Sequence, residues 1–477
     1  MKYDVVIGLE IHAQLNTESK IFSLSPTRFG ADVNTQANEV DLAMPGVLPV
    51  LNEQAVIKAI KFGIATDCKI NNRSIFERKN YFYPDLPKAY QISQFEYPIV
   101  GAGILEITNE KNELKNIGIT RAHLEEDAGK SLHENFTKHS GIDLNRAGTP
   151  LLEIVSDPDL SSAKEAVIYA KKIHALVVYI EICDGNMQEG SFRCDANVSL
   201  KPRGTKELGI RSEIKNINSF KFLEKAINYE INRQENILDD GGRVVQETRL
   251  YDADKNETRS MRSKEESNDY RYFPDPDLLP VIIDNKLIQN IKDKMPESPY
   301  NRLKRFIDDL DLKEEDANLL CSDIKIADYF ENIIKIGNLK PKLVANWIIV
   351  ELMGIINKNN KKWQDNKINE QDFATLLQRI TDNTISGKIA KQVFAVMWDK
   401  GDKPDNIIKK EGLQQLDNDD EIKSIITDII NKNPAQVQQY KDGKHKIIGF
   451  FVGQIMQQTK GKANPAKVQE ILKQQLS

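Results

Sequence analysis

Cysteine is scarce in this 477-residue chain: Cys68, Cys183, Cys194 and Cys321 lie far apart, with no CxxC pair. Such spacing excludes a disulfide framework and a cysteine zinc site, and it fits a reducing cytosol. Long hydrophobic runs are also missing, since none approaches the roughly 20 apolar residues that span a bilayer. The chain opens with neither a basic-then-apolar signal nor an Arg- and Ser-rich transit segment, so a cytoplasmic protein is expected. A net charge of -5 and a pI near 5.9 rule out a generally basic nucleic-acid binder, although a local basic patch is still possible. Familiar catalytic signatures are lacking too: there is no Walker A loop, no GxGxxG following a strand, no GxSxG elbow and no Gly/Ser-rich amidase stretch. An ATP site, if present, must be of another design.

What is present reads as two to four domains of ordinary composition, with 40% hydrophobic and 29% charged residues. Residues 1–292 mix alternating strand patterns with helical stretches such as "LNEQAVIKAIKFGIAT", an α+β layout on an antiparallel sheet. Around "MPESP" the periodicity turns helical and stays so over 293–405, and 406–477 reads as a small helical tail. The end of that tail is locally basic. From 441 onward Lys441, Lys444, Lys446, Lys460, Lys462, Lys467 and Lys473 face only Asp442 and Glu470, seven minus two, or +5. Such a run is either a solvated face or a phosphate-contacting one.

The stretch "VVIGLEIHAQL" places Val5, Ile7, Leu9, Ile11, Ala13 and Leu15 on one parity and Glu10, His12 and Gln14 on the other, the period of a strand with one buried face. The same test puts Arg121, His123 and Glu125 on one face of "GITRAHLEEDAGK". It also groups Arg193, Asp195 and Asn197 in "FRCDANVSL", and Arg211, Glu213 and Lys215 in "GIRSEIKN". Four strands each offer a carboxylate, and three add an arginine. If they share one sheet, the carboxylates converge and repel unless a cation lies between them. Oxygen ligands with one imidazole suit Mg²⁺ or Mn²⁺ rather than zinc, and interleaved arginines suit phosphate. Such a face serves phosphoryl transfer from ATP, with Arg193 and Arg211 as nucleotide-binding candidates. The alternative is an exposed face laced with salt bridges.

In "FERKNYFYPDLPKAYQISQFEYPI" Arg78, Lys79 and Lys88 are interleaved with Tyr81, Phe82, Tyr83, Tyr90, Phe95 and Tyr97. The segment either clamps a nucleotide or an RNA end, or merely anchors a Pro-rich loop. Arg271 and Tyr272 in "SKEESNDYRYFPDPDL" pose the same choice. His174, inside an apolar helical pattern, reads as structural.

Taken in order, "VVIGLEIHAQL", "FERKNYFYPDLPKAYQISQ", "HLEEDAGK", "DLNRAGTPLLEIVSDPD", "QEGSFRCDANVSL", "SEIKNINSF", "MRSKEESNDYRYFPDPDL" and, near the end, "GFFVGQIMQQTKGKANPAKVQEIL" closely resemble the B subunits of bacterial aspartyl/glutamyl-tRNA amidotransferases. The resemblance implies a catalytic cradle similar to the glutamine synthetase and guanido kinase class, then an all-α domain and a tRNA-binding helical tail. It implies ATP-dependent phosphorylation of the side-chain carboxylate of Glu-tRNA(Gln) or Asp-tRNA(Asn), then attack by ammonia. That ammonia would come from an amidase A subunit, with a small C subunit completing a heterotrimer. It further implies Mg²⁺ ligands at Glu10, His12, Glu125, Asp195 and Glu213, with Glu125 chosen over Glu126 by parity. Lys79 and Lys88 are expected at the phosphates or the activated carboxylate, and Glu10, His12, Glu125 and Lys79 at the chemistry. Where many relatives carry two cysteine pairs for zinc, Ser23, Ser25, Asn38 and Asp41 stand here, so no structural zinc is expected and packing should hold the loop. A noncatalytic tRNA scaffold and a small-molecule amide ligase are the competing readings.

Overall fold

The computed structural model describes residues 2–132, 139–263, 267–413, 419–459, 462–463 and 465–476. They divide into two compact units, Met1–Ser298 and Pro299–Ser477. The first is a mixed α+β body and the second is helical.

The first unit is organised by strands β1 (Tyr3–Gln14), β2 (Arg73–Ser74), β3 (Glu77–Asn80), β4 (Tyr90–Ser93), β5 (Gly103–Thr108) and β6 (Leu114–Glu126). After them come β7 (Lys130–Leu132), β8 (Gly141–Asp143), β9 (Pro150–Ser156), β10 (Phe192–Pro202), β11 (Ser212–Lys215), β12 (Glu247–Asp252) and β13 (Glu257–Ser263). Eight of these strands form one sheet in the order β13-β12-β11-β10-β1-β9-β6-β5. The first strand is central, pairing with β10 from Tyr3↔Pro202 to Ala13↔Phe192 and with β9 on its other side.

Alternation along β1 decides the layering. Ile7, Leu9, Ile11 and Ala13 are buried. The helices α1 (Glu53–Ala65), α2 (Ala163–Tyr179) and α3 (Phe220–Asp239) include two that cover the apolar face, α2 against β1 and α3 against β10. Ser162 and Ser219 cap α2 and α3, their hydroxyls accepting from the Glu165 and Phe222 N–H groups. His174 on α2 is structural: its Nε2 lies 2.8 Å from the Gly185 carbonyl, and its ring meets the edges of Phe192 and Phe220.

One feature departs from the sequence expectation and another adds to it. The sheet is antiparallel except for β11 and β12, which run parallel because α3 carries the chain back over the sheet between them, the crossover that parallel neighbours need. The loop after β1 is held by packing and also by a buried polar knot: Ile21 and Phe22 are buried, and Phe22 meets the edge of Phe76 at 5.3 Å. Leu24 and Phe29 are 90% and 72% exposed, whereas Lys20 is completely buried. The Lys20 ammonium lies 3.1 Å from Asp41 Oδ2 and donates to the Leu144 carbonyl at 3.2 Å. Ser23 Oγ donates to the Asp41 carboxylate at 2.9 Å, and the Asn38 N–H donates to it at 3.0 Å. Burial pulls the Lys20 pKa below its ordinary value against the opposing pull of Asp41. Gly148, at φ +81°, closes over this knot, and a Cβ there would come within 2.9 Å of Asp41 Oδ1. Hydroxyl, amide and carboxylate groups gathered around an ammonium do not fit zinc, which prefers thiolate and imidazole.

In the second unit one hydrophobic cluster runs from Phe306 to Ile408 and another from Ile422 to Leu476. Among the described residues no helix is long and apolar enough to cross a membrane.

Removing one partner of a buried ion pair strands the other charge, at a cost of about 3–5 kcal/mol. Lys20→Met should therefore lower the urea midpoint of the first unit followed by far-UV circular dichroism, and Lys20→Met with Asp41→Leu should recover most of the loss. An unchanged midpoint for Lys20→Met would show that the loop closes without the pair.

Candidate active site

The polar face of the large sheet is a lattice of charged side chains set by strand register. One row across the strands reads His123 on β6, Glu153 on β9, His12 on β1 and Arg193 on β10. The neighbouring row reads Arg121, Val155, Glu10 and Asp195. Residues two apart on a strand share a face about 6–7 Å apart, so the rows are close neighbours.

In the first row Glu153 Oε2 lies 3.5 Å from His12 Nε2 and 3.4 Å from His123 Nε2, and Glu125 Oε2 lies 3.8 Å from His123 Nε2. Ligand atoms of His12, Glu125 and Glu153 all fall within 4.8 Å of one another. Electrostatics follow the geometry. Burial pushes the Glu153 carboxyl up, but His123 and His12 hold it well below the usual range. Burial pulls both imidazoles down, but Glu153, joined by Asp195 at His12 and by Glu125 at His123, raises both overall. Burial and the Glu153 charge push Glu125 up, yet His123 and Lys79 bring it below its ordinary value. Two carboxylates and one imidazole converging on one point suit a hard divalent cation.

The expected ligands thus fall into two groups. His12 and Glu125 meet at this cluster, together with Glu153. By contrast, Asp195 and Glu213 gather around the Lys215 ammonium at 2.6 and 3.2 Å, and Glu10 accepts from Asn197 Nδ2 at 2.9 Å. Thr248 Oγ1 donates to Glu213 at 2.9 Å. Burial pulls Lys215 down, but Asp195 and Glu213 raise it overall. An ammonium here does what a metal would otherwise do between carboxylates.

A second sheet forms the wall. In it β14 (Phe273–Pro274) pairs with β3, and β3 pairs with β4. It meets the end of β6 through the Ile92 N–H, which donates to Glu126 Oε1 at 2.8 Å, and through Ser93 Oγ, which donates to Glu125 Oε2 at 3.3 Å. The two adjacent glutamates are therefore separated: Glu125 faces the histidine cluster, while Glu126 is held by Lys88 and Ile92. Lys79 stays near the cluster, its ammonium 5.1 Å from the Tyr270 ring centroid. Burial lowers its pKa, but Glu125 and its neighbours raise it overall. Arg78 serves as an anchor, bound to Asp275 at 2.8 Å and lying 4.2 Å over Tyr90.

The remaining candidates are dispersed. Arg193 is tied to Asp127 at 3.0 Å. Arg211 is exposed just before β11 and lines a cavity of about 130 Å³ with Glu10 and Asn197. In the tail Lys441, Lys444, Lys446 and Lys473 are exposed, whereas Lys460 lies outside the described residues. The residue that motif reading missed is Glu153. Its signal was a single carboxylate inside the apolar run "PLLEIV", where a buried charge demands partners.

Residues 5–289 match the family model described as the GatB/GatE catalytic domain, and residues 328–476 match the GatB domain. The chain is 58% identical to a protein of Thioalkalivibrio sulfidiphilus and 58% identical to one of Vesicomyosocius okutanii, each over 476 residues and 100% of both chains. It is 56% identical over 477 residues to one of Coxiella burnetii, again over 100% of both chains. All three are named as the B subunit of aspartyl/glutamyl-tRNA(Asn/Gln) amidotransferase.

Loss of a ligand-forming carboxylate should weaken divalent-metal binding roughly tenfold or more. Mn²⁺ titration followed by electron paramagnetic resonance should show this for Glu153→Gln, and Asp195→Asn should have the smaller effect. Equal losses would place the metal between the two groups.

Proposed function

The chain belongs to the family of aspartyl/glutamyl-tRNA(Asn/Gln) amidotransferase B subunits, and from that premise we propose that its acidic sheet face phosphorylates the side-chain carboxylate of Glu-tRNA(Gln) or Asp-tRNA(Asn). The observation that carries this reading is the convergence of His12, Glu125 and Glu153 within 4.8 Å beside Lys79. A carboxylate is a poor electrophile because hydroxide or oxide would have to leave. One carboxylate oxygen of the substrate attacks the γ-phosphorus of ATP, the bond to the bridging oxygen breaks, and ADP departs. Ammonia then adds to the carbonyl carbon of the acyl phosphate, inorganic phosphate leaves, and a proton is lost to give the amide.

Most of this chemistry is positioning and charge neutralisation. His12, Glu125 and Glu153 would hold Mg²⁺, which neutralises phosphate charge when bound. Lys79 brings a fixed positive charge to the same point from the wall. Lys215 keeps Asp195, Glu213 and their neighbour Glu10 from repelling incoming phosphates. The half-buried aromatic wall of Tyr81, Tyr270 and Tyr272 limits water, which would otherwise hydrolyse the acyl phosphate.

On this reading the cradle is of the glutamine synthetase and guanido kinase class, and the chain falls into a cradle over 1–292, a helical domain over 293–405 and a tRNA-binding tail over 406–477. Ammonia arrives from an amidase A subunit, a small C subunit completes the heterotrimer, and the assembly works in the bacterial cytoplasm. Four free cysteines, all buried, agree with a reducing compartment.

With the A and C subunits present, ADP release from labelled ATP should require both Mg²⁺ and charged tRNA. Glu125→Ala should abolish that release while leaving tRNA affinity within about twofold. Release that persists in the variant, or tRNA binding with no release in the unaltered complex, would favour a scaffold. For the tail, replacing Lys441, Lys444 and Lys446 by Gln should weaken tRNA binding and cut the slope of log K against log salt by about 2–3, since each phosphate contact contributes about 0.7–0.9. An unchanged slope would remove those lysines from the interface.

A further inference from the structure

Most cations near the acidic face are already committed to carboxylates. Arg193 is tied to Asp127, Lys215 to Asp195 and Glu213, Lys88 to Glu126, and Arg78 to Asp275 and Asp277. Arg121 is different. Its Nε is buried with no hydrogen-bond partner, and among the described residues no carboxylate forms an ion pair with it. The side chain is nevertheless held in place: its guanidinium carbon lies 5.4 Å from the Phe95 ring centroid, and Phe95 stacks on Tyr272 at 4.4 Å and 12°. The turn carrying Phe95 is fixed in turn by Glu77, whose carboxylate accepts from the N–H groups of Phe95 and Glu96 at 2.7 and 3.0 Å.

Arg121 is half-buried with its Nε fully buried, and leaving such a cation without a counter-charge costs free energy, so the oriented guanidinium is a receptor short of its anion. Arg121 shares its face with His123 two residues on, and Val155, the residue opposite it on β9, separates it from Glu10 in the same row. The Phe95 ring that Arg121 lies against stacks on Tyr272, whose ring is 6.2 Å from the Tyr270 ring that Lys79 lies over, so Arg121 belongs to the same wall as Lys79. A planar fork of N–H donors matches two oxygens of one phosphate, and an aromatic face keeps that fork flat.

Resting on the phosphoryl-transfer reading above, we propose that Arg121 is the anion-binding residue that grips phosphate oxygens of the nucleoside triphosphate, presented by the Phe95–Tyr272 stack. Arg193, bound to Asp127, then orients the sheet face instead of the nucleotide.

The test uses the complete complex with Mg²⁺ and compares Arg121→Met and Arg121→Lys with the unaltered protein. Charged hydrogen bonds lost from a phosphate should raise KM for ATP roughly 10- to 100-fold in Arg121→Met. Arg121→Lys, with charge but no fork, should fall between. Binding of adenosine, of Mn²⁺ and of charged tRNA should stay within about twofold. Because a half-buried cation without an ion-pair partner is being removed, the Tm of Arg121→Met without ligand should stay level or rise. A fall in Tm with an unchanged KM for ATP would overturn the proposal in favour of a structural arginine. A raised KM for charged tRNA with ATP unaffected would overturn it by assigning the fork to the carboxylate or the RNA. If the unaltered complex bound no Mg-ATP, the phosphoryl-transfer reading would fail and this inference with it. ATP binding that Arg121→Met leaves intact would overturn this inference alone.

Discussion

Carboxylates crowded on one face of a sheet must be neutralised, and the architecture of the first unit follows from how that is done. Register places Glu10, Glu125, Glu153, Asp195 and Glu213 on neighbouring strands facing the same side. Two imidazoles serve one group and a lysine ammonium serves the other. Neither group could persist in a half-buried cleft without its cations, because the desolvation cost of each charge is several kcal/mol. Charge balance and strand order are thus one constraint.

The division into two groups has a chemical consequence. Lys215 is covalently part of the protein and neutralises its carboxylates permanently. On the phosphoryl-transfer reading, the cluster of His12, Glu125 and Glu153, beside His123, would be the one that takes up a metal. Mechanistic economy favours a single exchangeable position flanked by fixed charges, since the fixed ones need no reorganisation during reaction.

Polar knots add to apolar packing in holding the segments around the cleft. The Lys20–Asp41 pair closes the loop after β1 while leaving Leu24 and Phe29 in solvent. Arg78, bound to Asp275 and lying over Tyr90, joins the wall sheet to the segment that carries Tyr272. Buried ion pairs add little net stability but penalise alternative arrangements, which suits loops whose job is to hold a geometry.

The alternation of β1, β6, β10 and β11 by itself determined which side chains face the cleft, because strand parity is a local property with period two. Motif order by itself was enough to mark the family. Tertiary structure alone decided how the expected ligands divide, since that depends on β9 lying between β1 and β6 and inserting Glu153 between the two histidines. Parity chose Glu125 over Glu126, but only the tertiary structure showed what holds the two apart, β4 lying against β6, and only it showed the buried lysine that joins the packing beneath the loop. Strand neighbours and buried pairs join residues up to about two hundred positions apart, and no local pattern in the chain encodes which distant strand will lie alongside.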